Sequence, residues 1–408
     1  MNSCTIIGIS DSRQQWFPPE VHALIQSGTI FSGGKRHHDI MAPLLPQGHQ
    51  WINITVPLED VFKQYEAYDH IIIFASGDPL FFGFANTVQR ICPQVKMHVI
   101  PTFNSLQTLA HRMCIPYHDM HVVSLTGRTW EKFDEALING EKLIGVLTDH
   151  TKTPEAIHAR MQTYGYTNYT MTVGENLGNE ERERISTYHT PPTTTDTGNT
   201  SGNVGTSNTY SHPNCIILQQ TFPLIRPFGI PDSAFTLLDG RTRMITKMPI
   251  RLLTLQALNL PRRHTLWDIG ACTGSISIEA RLRFPHLHIE AFEIRPECET
   301  IIRENARRFH APGINLHIGE FLSFPCNPIV PPAPDAVFIG GHGGQLKHIM
   351  AKVLDVLTED GCIVMNSVTP HSHQLWDEAC KELNLQQAPP VRIQLNDFNP
   401  IEILICKR

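Results

Sequence analysis

Short, continuously apolar runs, each closed by glycine, proline or an acidic turn, recur along most of this chain with amphipathic stretches between them. That rhythm restricts the fold more than any other feature. A short apolar run reads as a strand buried on both faces, and the amphipathic stretch after it as the helix that crosses back, so an α/β fold is expected. The runs begin at residues 5–9, 21–25 and 52–56 and lead into a helical 58–68. Ile71-Ile72-Ile73-Phe74-Ala75 then stops at Ser76-Gly77-Asp78-Pro79, as a buried strand ending in a turn does. Further strands are expected at 95–100, 121–125, 143–147 and 169–173, with helices at 105–113 and 154–161.

The rhythm fails once. Residues 190–211 are almost all Thr, Ser, Asn, Gly and Pro, with Val204 and Tyr210 the only large apolar side chains. Such a stretch cannot offset its ordering entropy by burial. Because residues 215–218 read as one more strand, it is expected to be an insertion in a first domain of residues 1–222, with a second domain over 228–408. The second domain is expected to open with a helix at 247–258. Strands follow at 264–269, 288–294, 314–318, 336–339 and 362–365, and 391–395 pairs with 401–405 as a hairpin. Leu346, Ile349, Met350, Val353, Leu354 and Leu357 repeat at three and four residues, as one buried helical face. The result is a doubly wound sheet with an antiparallel end.

Composition narrows the functions this scaffold can carry. A formal net charge of -6 lacks the basic footprint of a nucleic-acid binder. Ten cysteines form no C-x-x-C pair and 22 histidines no H-E-x-x-H, so free thiols and no metal site are expected. No apolar run approaches the roughly 18 residues a membrane helix needs, and the first residues lack a secretory pattern. A cytoplasmic protein without a membrane partner is expected.

Leu266-Trp267-Asp268-Ile269-Gly270-Ala271-Cys272-Thr273-Gly274-Ser275 is a strand that ends in a glycine turn and opens a helix. Such a turn turns backbone N–H groups and a positive helix terminus toward a ligand. The glycine spacing departs from G-x-G-x-x-G, and Asp268 precedes the first glycine by two. That offset favours S-adenosylmethionine over a dinucleotide, its carboxylate on the turn amides and its ammonium facing Asp268. Glu293, at the end of the next strand, can accept from both ribose hydroxyls.

These residues, with Ile230-Pro231-Asp232, Ile245-Thr246-Lys247 and Pro334-Asp335-Ala336-Val337-Phe338-Ile339-Gly340-Gly341, resemble the C-terminal component of the precorrin-6Y C5,15-methyltransferase (decarboxylating) family. The resemblance implies a Rossmann-like class I methyltransferase fold in which Thr246, the turn from Gly270 through Ala271, Cys272 and Thr273 to Gly274, Glu293 and the backbone near Phe321 hold the cofactor. Cys272 stands where this family usually has glycine, and a Cβ is tolerable there if the backbone avoids positive φ.

The first half resembles the N-terminal component of the same family, a tetrapyrrole methylase fold (class III, two α/β lobes). The resemblance rests on Ala75-Ser76-Gly77-Asp78-Pro79-Leu80-Phe81-Phe82-Gly83, preceded by Gly33-Gly34-Lys35-Arg36-His37. It is followed by Pro101-Thr102-Phe103-Asn104-Ser105-Leu106-Gln107, Val122-Val123-Ser124-Leu125-Thr126-Gly127-Arg128 and Gly174-Glu175-Asn176-Leu177-Gly178. It implies cofactor contacts at Gly77, Asp78, Pro79 and Ser105. One S-adenosylmethionine per domain follows, with C5 and C15 of a precorrin-6 type macrocycle methylated and its C12 acetate decarboxylated. No catalytic side chain is singled out. Lys35, Arg36, Arg128 and Lys247, with Arg241, Arg243 and Arg251, are candidates to meet the macrocycle's carboxylates, and a homo-oligomer is expected. A methyltransferase acting on RNA or another substrate, and a non-catalytic tetrapyrrole-binding scaffold, remain as alternatives.

Overall fold

A computed structural model describes residues 1–189, 210–241, 244–325, 332–396 and 399–408. The amino-terminal strands β1 (Ser3–Ile9), β2 (Ile30–Gly33), β3 (Gln50–Asn53), β4 (His70–Ser76) and β5 (Lys96–Ile100) form a sheet ordered β3-β2-β4-β1-β5. All its pairings are parallel. In β4 only the two end residues escape burial, because side chains pack on both faces. A second sheet, ordered β6-β7-β10-β8-β9, contains β6 (His121–Ser124), β7 (Leu143–Leu147), β8 (Tyr169–Glu175), β9 (Arg184–His189) and β10 (Asn214–Gln220). Only its β6–β7 pair is parallel.

The third sheet is built from β11 (Thr265–Ile269), β12 (His288–Glu293), β13 (Ile314–Ile318), β14 (Ala336–Ile339), β15 (Cys362–Ser367), β16 (Gln386–Gln387), β17 (Val391–Ile393) and β18 (Ile401–Lys407). Its order is β13-β12-β11-β14-β15-β18-β16, with β17 also on β18. The first five strands run parallel and β18 returns antiparallel, which gives the expected antiparallel end. Trp267, Trp376, Val337 and Ile363 belong to the core on one side, and Leu266, Ile276, Phe338 and Val364 to the core on the other. The alternation along β11 and β14 thus feeds two apolar layers.

The chain divides into two compact units. One comprises Met1–Arg128, Lys142–Ile157 and Asn168–Phe222, the other Thr129–Glu141, His158–Thr167 and Pro223–Arg408. The helix Glu131–Asn139 and the end of Pro154–Thr163 therefore group with the second unit, whereas a boundary at residue 222 alone would leave them in the first.

Several elements differ from the sequence reading. The run at 21–25 lies in a helix, Pro19–Ser27, where Val21 and Ile25 share the buried face at a spacing of four. β2 and β9 were not expected, and β9 is a half-exposed edge strand whose polar side chains hide the period. The polar stretch leaves β9 and the chain returns at β10, strands on either side of β8; its residues 190–209 lie outside the described residues. No described helix is long and apolar enough to cross a membrane, and no described cluster of His, Cys, Asp and Glu is placed to hold a metal ion.

Candidate functional site

Every residue of β11 is buried, and the strand hands over to Gly270 at φ +81°. A Cβ at Gly270 would lie 2.6 Å from the Gly341 amide nitrogen, so both backbone conformation and the close loop after β14 demand glycine. The Gly274 amide closes the turn on the Ala271 carbonyl at 2.8 Å, and the helix Ser275–Arg283 begins there. Gly270 and Ala271 donate to the Phe292 carbonyl at 2.8 and 3.0 Å, and Cys272 donates to Glu293 Oε2 at 2.7 Å. Only part of the turn is therefore free to offer amides to a carboxylate. Among the described residues, Thr273, Ser275 and Ile276 keep unbonded amides, and the others hold the turn itself.

Cys272 sits at φ +52°, so the condition for tolerating a side chain there is not met. The left-handed backbone costs about 1 kcal/mol. Donation from Sγ to the Met244 carbonyl at 3.2 Å offsets part of it.

Two carboxylates flank the turn. Asp268 is 1 % exposed, and its Oδ2 accepts from the Ser277 amide at 3.2 Å and hydroxyl at 2.6 Å. Its Oδ1 is buried without a partner. Burial, against the Ser277 hydrogen bonds and with the Glu293 charge nearby, pushes this carboxyl up to about 6. A buried orphan acceptor of this kind is what a cationic group would satisfy. Glu293 is equally buried; besides Cys272 it accepts at Oε1 from the Arg295 amide and guanidinium, both at 3.0 Å.

These groups open onto a cavity of about 680 Å³. It brings together Thr246, Lys247, Asp268, residues 270–273, Glu293 and Phe321; Gly274 shapes the turn without lining the cavity. Away from the turn, Ile245, Val368, Ile393 and Ile401 give the lining apolar stretches among the polar Glu320, His342, Gln345, Asn366, Thr369 and Asn399. Lys247 is one-third exposed, 3.7 Å from Asp232.

Arg251 does not meet substrate. It is fully buried and donates to the Thr246 carbonyl at 2.9 Å, and to Asp232 and Glu279 at 3.3 Å each, so it anchors the Thr246 segment. Arg243 lies outside the described residues. Sequence reasoning missed two further anchors. Asn305 donates to the carbonyls of Thr236 and Thr273 at 3.0 Å each, and its signal was a polar residue among Cys298, Ile302 and Ala306 on the buried helical face. Lys352 reaches the carbonyls of Phe321, Leu322 and Phe324, a contact across 31 residues or fewer that no local pattern announces.

In the first unit the site is made mostly of main chain. Gly77 has φ +63°, and a Cβ there would lie 2.8 Å from Asn104 Cα. Gly8 presses equally close, since its Cβ would overlap the Gly77 carbonyl oxygen. The Gly77 amide donates to the Ile9 carbonyl at 2.9 Å, so the ends of β1, β4 and β5 converge on this turn. Asp78 Oδ1 accepts from the Leu80 amide at 2.9 Å, Pro79 is buried, and Ser105 starts a helix capped reciprocally by Asn104 and Gln107. The place is the carboxyl edge of a parallel sheet, where α/β folds bind ligands.

Of the cations expected near it, Lys35 is exposed at the start of the helix Lys35–Met41. Arg36 is held by Asp11 at 3.0 Å and the Ser76 hydroxyl at 2.7 Å. Burial and the neighbouring Arg36 lower His37 to about 4, so its ring is neutral beside Ser76. Arg128 is exposed, over the ring of Phe82.

Comparison with known proteins gives the two halves of the chain to two different families. Residues 1–189 match the tetrapyrrole (corrin/porphyrin) methylases, and residues 238–401 match the precorrin methyltransferase domain. A precorrin-6Y C(5,15)-methyltransferase (decarboxylating) of a Sinorhizobium species is 31% identical over 90% of this chain and 84% of its own. A protein of the same description from Mycobacterium tuberculosis is 26% identical over 93% of this chain and 90% of its own. A cobalt-precorrin-6B C(15)-methyltransferase (decarboxylating) of Salmonella typhi is 32% identical over 42% of this chain and 93% of its own. With a tetrapyrrole methylase domain followed by a Rossmann-like methyltransferase domain, the chain belongs to the family of precorrin-6Y C5,15-methyltransferases (decarboxylating).

Proposed function

We propose that this chain transfers methyl groups from S-adenosylmethionine to C5 and C15 of a precorrin-6 type macrocycle and releases the C12 acetate carboxyl as carbon dioxide. C5 methylation belongs to residues 1–222 and the other two reactions to residues 228–408, with one S-adenosylmethionine for each domain. The observation that carries the reading is the cavity beside Gly270, where a buried carboxylate with an orphan oxygen faces a space large enough for cofactor and part of a macrocycle.

The residues present fit the cofactor. Asp268 Oδ1 would take its ammonium, the free amides of Thr273, Ser275 and Ile276 at a helix N-terminus its carboxylate, and Glu293 Oε2 a ribose hydroxyl. S-adenosylmethionine supplies an electrophilic methyl on a sulfonium, so an electron-rich ring carbon needs no strong base. The chain's own contribution is to hold the two reactants in line in a site that excludes water. Loss of carbon dioxide leaves an electron pair that the conjugated macrocycle accepts, and the residual carbon takes a proton. A carboxylate seated against the apolar part of the lining, at Ile393, Ile401 and Val368, would be poorly solvated, which favours departure of a neutral molecule. Lys247 is on the same wall to meet carboxylates that stay.

The test is incubation of the purified full chain with S-adenosylmethionine and either the metal-free or the cobalt-containing substrate, with products weighed by mass spectrometry. Two methyl gains and one carbon dioxide loss are expected with one of them; no methyl gain with either overturns the reading.

A further inference from the structure

Phe82 occupies an unusual position. It adopts φ +53°, a left-handed conformation that a bulky side chain rarely takes, yet its ring stays 47% exposed. Burial does not explain why glycine is not there. Over the ring lies the Arg128 guanidinium, 5.0 Å from the centroid, with no carboxylate partner among the described residues. Arg128 is itself placed by a fixed loop: the Gly127 amide donates to Asp149 Oδ2 at 2.9 Å, and the Thr126 hydroxyl donates to the Thr148 carbonyl at 3.1 Å. Thus a ring from the loop after β4 and a cation from the loop after β6 meet beside the Gly77-Asp78-Pro79 turn. Leu80 and Phe103, 50% and 60% exposed, extend the apolar surface on the loops after β4 and β5.

We infer that Phe82 and Arg128 form the specificity-determining seat of the first unit for a conjugated tetrapyrrole polycarboxylate. The ring offers a π face to the macrocycle, and the guanidinium, planar in itself and held beside the ring, supplies its N–H fork to one peripheral carboxylate in bidentate contact. Local backbone strain at an exposed aromatic is then the consequence of presenting that face, since strain persists at ligand-binding positions where the surrounding structure enforces it. The inference rests on the C5-methyltransferase reading of this unit.

The experiment measures C5 methylation by the full chain at saturating S-adenosylmethionine, with C15 methylation and decarboxylation as internal controls. Arg128→Gln is expected to raise KM for the macrocycle about tenfold with kcat nearly unchanged, the scale of one lost charged hydrogen-bond pair. Phe82→Gly is expected to raise both KM and the melting temperature, because it relieves the backbone while removing the platform; Phe82→Tyr should keep the parental KM. A purely structural Phe82 would instead lower the melting temperature on change to glycine and leave KM alone, and that result, or an unchanged KM in Arg128→Gln, overturns the inference. If the parent protein methylates no C5, the C5 reading fails by itself. Absorbance titration with uroporphyrin, a tetrapyrrole octacarboxylate, still decides the seat, which stands if Arg128→Gln weakens binding and falls if it does not.

Discussion

The two candidate sites solve one recognition problem with different materials. Around Gly77 the close contacts are backbone on backbone, Asp78 is turned onto its own loop at the Leu80 amide, and the buried Asp11 beyond β1 is already taken up by Arg36 through one oxygen. Around Gly270 two carboxylates are almost wholly buried, one of them with an oxygen left unsatisfied. A main-chain site is insensitive to side-chain chemistry but intolerant of added bulk at its glycines. A site built on buried carboxylates carries a standing electrostatic cost that its ligand relieves.

The contrast is broken most sharply by Gly270→Val. The added Cβ meets backbone at 2.6 Å and the residue is forced at φ +81°, so cofactor binding in the second unit should weaken by roughly 2 kcal/mol or more, about 30-fold. Calorimetric titration of the full chain should then show one binding event where the parent shows two; two unchanged events would show that this turn does not hold the cofactor.

Asp268→Asn sharpens it next. The native carboxyl is raised to about 6 by burial, so its neutral form is the one the fold favours. That stability is complete below the unfolded value near 3.8 and is lost as pH rises through about 6. The amide cannot ionise. The variant should therefore match the parent near pH 3.5 and exceed it above pH 6, by on the order of 2 kcal/mol, while binding cofactor more weakly. For the parent, affinity in the second unit should fall as pH drops through the same range, because an ammonium prefers the ionised acid. Denaturant melts and titrations at several pH values check both signs.

Glu293→Ala removes an acceptor and should cost the second unit roughly 1 to 3 kcal/mol of cofactor affinity. Asp78→Ala in the first unit should cost less, about 1 kcal/mol or under, because only a local turn bond to Leu80 is lost. If the Asp78 variant proved the weaker binder of the two, the distinction between main-chain and carboxylate sites would collapse.

Most of the third sheet was legible because its parallel strands are buried on both faces and announce themselves as unbroken apolar runs, as at Thr265–Ile269 and Ala336–Ile339. β2 and β9 were not, since short or half-exposed strands carry no such run. The turn at Gly270 and the distant Glu293 were readable from spacing alone. Which amides were already spent was not, because the Phe292 carbonyl and Glu293 reach them from the neighbouring strand. Nor could spacing show that Arg251 is an internal anchor, a fact fixed by Asp232 and Glu279 from distant segments. Residue type and order locate a turn, whereas long-range contacts decide what its donors are free to do.

Trp267 lies inside the second unit with its ring edge-on to Phe292 and Phe321, both of which line the cavity, and its indole N–H has no partner. An indole in such dry surroundings fluoresces toward the blue, while Trp16, 82% exposed, emits toward the red. The protein therefore carries its own optical label. Trp376 is as deeply buried and adds to the short-wavelength emission, so the part of that edge which changes when the cavity fills is the part expected to vanish in Trp267→Phe.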